Sequence, residues 1–367
     1  MVSPALVLSK KSSFMKPINK LIIIMSIVST ELFAQLKPEL SALPSLPSIG
    51  WAGMYAGTSK GVLFCMGGTN FPDKKPWEGG KRNVSKEIYM LSNNYSNWIK
   101  LNEELPQPMA YGVSATYGNQ IILVGGTTEN GMSAQIIVLE WDGEKLNKQH
   151  YPDFPVPIAY ASGTVVGNLL IVAGGMDLAG NLSKKCYALN LLNPKNGWLA
   201  LPDLPGRERM LAICGAFGNK FYLFSGETKT KNLYGEIYRD ILQDAYKLNI
   251  TEKEKGFSFE WEALAKMPKG MSAGATPVPV LNNETMFFWG GVDAVAGLHK
   301  VPATHPGISK EIFNYYPNQD KWEFVGEIKD ISAKVTLPVV YWNNQWVYVS
   351  GEIKPGIRDN AVISIEN

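Results

Sequence analysis

The chain has 367 residues and a net charge of +2, with 45% apolar and 19% charged residues. That mixture supports a globular core and excludes a disordered chain. Charges of both signs are scattered along it, so no block of like charge points to nucleic acid or to a membrane surface as a partner.

In chain order, the first feature is Lys10, Lys11, Lys16 and Lys20, followed by the apolar run "LIIIMSIV" (21–28) and then "LFAQ" (32–35). This is the three-part order of a secretory signal. The run falls far short of the roughly 20 apolar residues that span a bilayer, so no stable membrane anchor is expected. The expectation is a signal peptide over 1–34, cut after Ala34, with Met15 as a second candidate start, and a product exported to a periplasm where the source has one.

From there a single unit recurs. A short apolar strand ends in a pair of small residues in "VLFCMGG" (62–68), "IILVGG" (121–126), "LLIVAGG" (169–175), "FYLFSGE" (221–227), "MFFWGG" (286–291) and "WVYVSGE" (346–352). Two pairs depart from Gly-Gly, with Ser225-Gly226 and Ser350-Gly351. Before each run comes another strand introduced by a Pro-containing turn, as in "PQPMAYGVSATYGN" (106–119) or "PVPIAYASGTVVGN" (155–168). After it come a variable loop, a third strand such as "KEIYMLS" (86–92), and a fourth carrying Trp and then Leu-Pro, as in "WLALPDLP" (198–205). Four short antiparallel strands repeated six times predict an all-β chain, a six-bladed β-propeller over 35–367. The sixth unit stops after its third strand, "NAVISIE" (360–366), whereas "LKPELSALPSLP" (36–47) has only a fourth-strand ending. The N-terminal segment is therefore expected to close the last blade, which removes an exposed edge.

Cys65, Cys186 and Cys214 sit in apolar runs, and the three histidines (His150, His299, His305) are dispersed. Metal ligation needs clustered ligands. No metal or other cofactor is predicted, and the cysteines read as buried free thiols.

In a propeller the loops after each small-residue pair gather on one face around the channel, which is where a site is expected. The loops at 69–82 and 227–240 are long and charged enough to cap it. Asn70, Asp73, Lys74 and Trp77 are candidates to line the entrance, with Trp77 equally readable as packing, and Glu227 is a reserve acid. In the last loop, "GEIKPGIR" (351–358), Pro355-Gly356 makes a tight turn that can bring Arg358 back beside Glu352. Such an Arg either keeps the carboxylate ionised or binds a substrate carboxylate while Glu352 moves protons. A plain surface ion pair fits the spacing as well.

The Gly-Gly and Trp pattern after residue 36 resembles the kelch repeat. "GEIKPGIRDNAV" is similar to the Gly-Glu-x-Lys-Pro-Gly-x-Arg segment of the sialic acid mutarotases (N-acetylneuraminate epimerases), which are exported six-bladed kelch-type propellers. "QPMAYGVSATYGNQIILVGG" (107–126) resembles that family's Arg-Ala-Tyr-Gly-Val-Ser segment, with Met109 where the family has Arg. In "GRERMLAICGAFGNKFYLFSG" (206–226), Arg209 takes the place of another family Arg. The segments occur in the reverse of the order found in the better-known members, so the chain looks like the family's cyclically permuted branch. The resemblance implies an isomerase that interconverts the anomers of sialic acid by acid–base ring opening and closure. Glu352 would be the proton acceptor, and Arg358, with Arg209, would hold the sugar carboxylate. The competing expectation is an exported propeller that binds a carbohydrate or protein without catalysis. The sequence does not define an oligomeric state.

Overall fold

The computed structural model describes residues 1–2, 38–93, 96–231 and 233–367; the expected signal segment lies outside the described residues. The chain builds six antiparallel sheets arranged as a β-propeller, five of four strands and one, blade 2, with Met109–Ala110 added as a fifth. Blade 1 runs from Tyr55–Ser59 through Val62–Met66 and Glu87–Leu91 to Ile99–Glu104. Blades 2 to 5 repeat that order. Blade 6 pairs Val339–Trp342, Gln345–Val349 and Val362–Glu366, and its fourth strand is Leu40–Leu43 from the other end of the chain, in register Leu40↔Ile365 to Leu43↔Val362. The expected closure by the N-terminal strand is therefore what the fold uses.

The apolar strands are buried on both faces because each sheet is sandwiched between two neighbours. Leu63, Phe64, Cys65 and Met66, for example, are all fully buried. Side chains of alternate parity go to different interfaces: Leu63 and Cys65 to the cluster with blade 6, Phe64 and Met66 to the cluster with blade 2. The three cysteines are free and buried. Burial pushes the Cys186 thiol up to about 12 and the other two above their ordinary value as well, so they act as small apolar fillers.

Three sets of hydrogen bonds tie neighbouring blades. At the axis, Gly53, Tyr111, Tyr160, Leu211, Ala273 and Thr336 occupy equivalent positions, all with φ between 54° and 66°. Each donates its backbone N–H to the carbonyl of the preceding member, and Gly53 closes the circle by donating to Thr336 at 2.7 Å. Farther out, the second residue of each small pair donates to the incoming chain of the next blade, as in Gly68 N to Met109 O (2.9 Å) and Gly351 N to Trp51 O (2.9 Å). A Cβ on the first residue would collide there: at Gly67 it would lie 2.4 Å from the Met109 carbonyl, and at Gly290 2.3 Å from that of Lys334.

Blades 4 and 6 solve the same junction differently. Ser225 and Ser350 adopt the left-handed conformation at φ 53° and 56°. Their hydroxyls offset that strain: Ser350 Oγ accepts from Trp51 N at 2.8 Å and donates to Asp359 O at 2.7 Å, and Ser225 Oγ does the same with Met271 N and Leu242 O.

At the rim, the fourth-strand Trp donates its indole N–H to the end of the previous blade's fourth strand. Trp98 reaches Pro44 O (2.7 Å), Trp198 Pro152 O (3.1 Å) and Trp261 Pro202 O (3.0 Å). That is the physical reason Trp and Leu-Pro recur together.

Several loops are not plain loops. Thr69–Asn70 pairs with Asn83–Val84, Glu227–Lys231 with Ile237–Ile241 and Glu352–Lys354 with Ile357–Arg358, and Ala294–Leu298 forms one helical turn and a little more, capped by Asp293 accepting from Ala296 N at 2.8 Å.

Candidate functional site

The six axial residues that close the inner circle also line an open cavity beside Gly112, Ser114, Ser162 and Gly274, about 590 Å³ with the solvent at its opening included. Above it, the Pro355-Gly356 turn folds Glu352–Lys354 back on Ile357–Arg358, so that Glu352 and Arg358 face each other across the ladder. Glu352 is anchored by a reciprocal backbone pair with Val335 (3.0 Å each way), next to axial Thr336.

Arg358 is 5% exposed and Glu352 19%. Arg358 Nη1 donates to Glu352 Oε2, its Nε to Thr69 O at 3.2 Å, and its guanidinium carbon lies 5.4 Å over the Phe71 ring. The Tyr111 hydroxyl lies against the same guanidinium and 3.0 Å from Thr69 Oγ1. Burial lowers the Arg358 pKa from its ordinary value, and Tyr111 opposes that shift. The cation therefore joins blades 1, 2 and 6 at the mouth. The Tyr111 ring packs against Tyr160 at 5.0 Å between centroids. Burial and Tyr111 raise the Tyr160 phenol, and the exposed Arg82 beside it opposes the rise.

The remaining expected site residues are placed differently. Asn70 is buried and structural: its Nδ2 donates to Gly50 O (3.3 Å) and its Oδ1 accepts from Asn83 (3.2 Å). Asp73 and Lys74 are exposed on the same loop. Trp77 packs with Pro76 over the 352–358 turn, where a Cβ at Gly356 would come within 3.2 Å of the indole; it braces the pair.

Glu227 is 1% exposed, with Oε1 3.0 Å from Arg239 Nε and Oε2 accepting from Arg239 Nη2 and from Ser272 Oγ at 2.7 Å. Its oxygens are committed to blades 4 and 5, which leaves it poorly suited as a reserve acid.

Arg209 corrects an expectation. It is 0% exposed and makes a bidentate pair with Asp244 (2.6 and 2.8 Å), with further bonds to Ser225 O (2.9 Å) and Arg207 O (3.1 Å). A guanidinium so placed, fully buried and with four of its five N–H groups committed, clamps blade 4 and does not reach out to a substrate carboxylate. Met109 holds the equivalent position in blade 2, fully buried in an apolar cluster, so Met for Arg there is a packing difference behind the mouth.

Burial alone would raise the Asp244 carboxyl, but Arg209 and then Tyr246 outweigh it and hold it below its ordinary value. The clamp's contribution is thus complete above the unfolded carboxyl value, near pH 4, and is lost as pH falls through the lower folded one. Arg209→Ala is expected to cost about 3 kcal/mol of stability by stranding Asp244, with no change in any activity per folded molecule. Denaturant titration beside a rate assay separates the two.

Tyr111, Tyr160 and Arg82 were not among the expected site residues. Their signal was the Tyr shared by "MAYG" and "IAYA" at the same repeat position, where the other blades carry Gly53, Leu211, Ala273 and Thr336.

These features define a closed six-bladed propeller with an open cavity on its axis and, beside the cavity's Tyr111, a largely buried Glu–Arg pair. The chain belongs to the N-acetylneuraminate epimerase family, whose model matches residues 32–148 and 151–297; Glu352 and Arg358 lie beyond the matched residues. It is similar to the N-acetylneuraminate epimerase of Yersinia enterocolitica, at 36% identity over 131 residues, 32% of each chain. It is also similar to that of Haemophilus influenzae strain 86-028NP, at 34% over 119 residues, 30% of this chain and 31% of the other. The Vibrio cholerae protein of the same name is 25% identical over 225 residues, 51% of this chain and 53% of the other. The match spans about a third of the first two relatives and about half of the third. In fold it resembles the solved structure of YjhT, with a TM-score of 0.64 and 16% identity over 89% of this chain and all of that one.

Proposed function

We propose that this protein is an exported N-acetylneuraminate epimerase that interconverts the α and β anomers of sialic acid by opening and reclosing the sugar ring. Family membership supports the sugar acid, and the Lys-flanked apolar run at 21–28 supports export. The observation that carries the chemistry is Glu352, held by Arg358 beside Tyr111, which lines the axial cavity.

Mutarotation requires only that the anomeric hydroxyl lose its proton while the C–O bond of the ring breaks and the ring oxygen gains one; closure on the other face of the ketone reverses this. Glu352 accepts the anomeric proton. Arg358 keeps that carboxylate ionised and aimed. Of its five N–H groups, one goes to Glu352 and one to Thr69; the rest, with the exposed Arg82, can hold the sugar's own carboxylate. Because the reaction already proceeds in water, an acid–base pair contributing about 10² to 10⁴ in rate is sufficient.

The test is to dissolve one anomer and follow its conversion by proton NMR with and without the protein. Acceleration above buffer is expected. No acceleration of sialic acid or of any other sugar acid would leave the binding propeller as the better reading, and acceleration of another sugar only would change the substrate alone. Recovery of the tagged full chain from a periplasmic extract tests export, and retention with the cytoplasmic fraction counts against it.

A further inference from the structure

The ring-opening reading leaves one part unfilled: the group that gives the ring oxygen its proton. We infer that Tyr111 is that group, the acid that works opposite Glu352 across the Arg358 guanidinium. The inference rests on the proposed ring-opening function.

Four observations converge on it. Tyr111 belongs to both halves of the site, because its backbone is one of the six axial residues lining the cavity and its hydroxyl stands beside the Glu352–Arg358 pair. Room for its ring is provided by Gly53, where a Cβ would sit 2.4 Å from the Tyr111 ring. Its ring is fixed against Tyr160. The fourth is what its hydroxyl faces. An arginine has donors only, so the Arg358 guanidinium beside the phenol can accept nothing from it. At rest the phenol shares a hydrogen bond with Thr69 Oγ1, 3.0 Å away, in which either oxygen can be the donor; with sugar bound the phenol proton goes to the ring oxygen.

Two other titratable groups of these blades, Glu227 and Lys334, are spent elsewhere. Both oxygens of Glu227 are engaged by Arg239 and Ser272. Lys334 Nζ is buried between Asp359 (2.9 Å) and Ala361 O (2.7 Å).

The step balances. Glu352 takes the proton of the anomeric hydroxyl, the anomeric C–O bond to the ring oxygen breaks as the ketone forms, and that oxygen takes the phenol proton. The site then holds a neutral Glu352 and a Tyr111 phenolate, and Arg358 lies between the two before and after. Negative charge moves from one side of a fixed cation to the other, so the total charge of the site never changes. Reclosure on the opposite face returns the ring-oxygen proton to Tyr111 and the Glu352 proton to the new anomeric hydroxyl.

Tyr111→Phe keeps the ring and removes the proton. In the NMR assay it is expected to slow the catalysed interconversion at least tenfold, while sialic acid binding stays within about threefold and Tyr341→Phe, in blade 6, behaves as wild type. A fluorinated tyrosine at 111 keeps the shape and makes the phenol a stronger acid, so it should change the catalysed rate per folded molecule, which covers the case in which Tyr111→Phe does not fold. An accelerating wild type matched by Tyr111→Phe, or a rate unmoved by fluorination, overturns the assignment and leaves the ring-opening reading standing. A wild type that accelerates nothing removes both.

Discussion

Glu352→Gln is expected to lower the catalysed conversion of sialic acid by about 10² to 10⁴-fold while the sugar still binds. Gln has nearly the same size, and its amide oxygen can still accept from Arg358, so the turn at Pro355-Gly356 keeps its shape. What it lacks is a base. Arg358, 5% exposed, also loses its counter-charge, and a cation left unpaired in such a place costs stability on the order of 1–3 kcal/mol. The rate must therefore be expressed per folded molecule, with the folded fraction taken from near-UV circular dichroism. Identical rates for Glu352→Gln and wild type would show that the pair only braces the turn.

Gly290→Ala is expected to destabilise the fold by about 2–4 kcal/mol, well beyond the roughly 1–2 kcal/mol of a left-handed alanine alone. Gly290 has φ +86°, and its new Cβ would lie 2.3 Å from the Lys334 carbonyl of the next blade. Backbone from two blades would have to part, and the bond from Gly291 N to that carbonyl would go with it. Gly118→Ala is the control: its φ is +57° with nothing within 4 Å, so it carries the dihedral strain without the collision. Equal shifts in denaturant midpoint for the two variants, at unchanged slope, would mean that the blades yield at no cost.

The parts of this fold that sequence revealed are the ones that repeat. A Gly pair marks four of the six places where the next blade's carbonyl comes close, Ser-Gly marks the other two, and a Trp bonded to a Pro carbonyl recurs at the rim, so six imperfect copies reinforce one another. The closure by Leu40–Leu43 was legible for the same reason, as one unit lacked the strand another segment supplied. Glu352 and Arg358 were legible because a tight turn links them within seven residues. What stayed hidden depends on single long-range encounters. The commitment of Arg209 is decided by Asp244, a partner 35 positions away. Tyr111 meets Arg358 only because the ring closes blade 6 onto blade 1. The helix at Ala294–Leu298 is too short for any periodicity to show.

The clasp that shuts the ring has a mechanical consequence. Leu40 lies opposite Ile365, and Leu43 opposite Val362, so the chain enters and leaves that strand pair at the same edge. A force drawn across Leu40 and Ile365 would load one rung at a time, like a zipper, instead of shearing all of them together. Pulled from there, the molecule should yield at low force however stable it is to heat or denaturant, and a single released rung would be the first step toward freeing a whole blade.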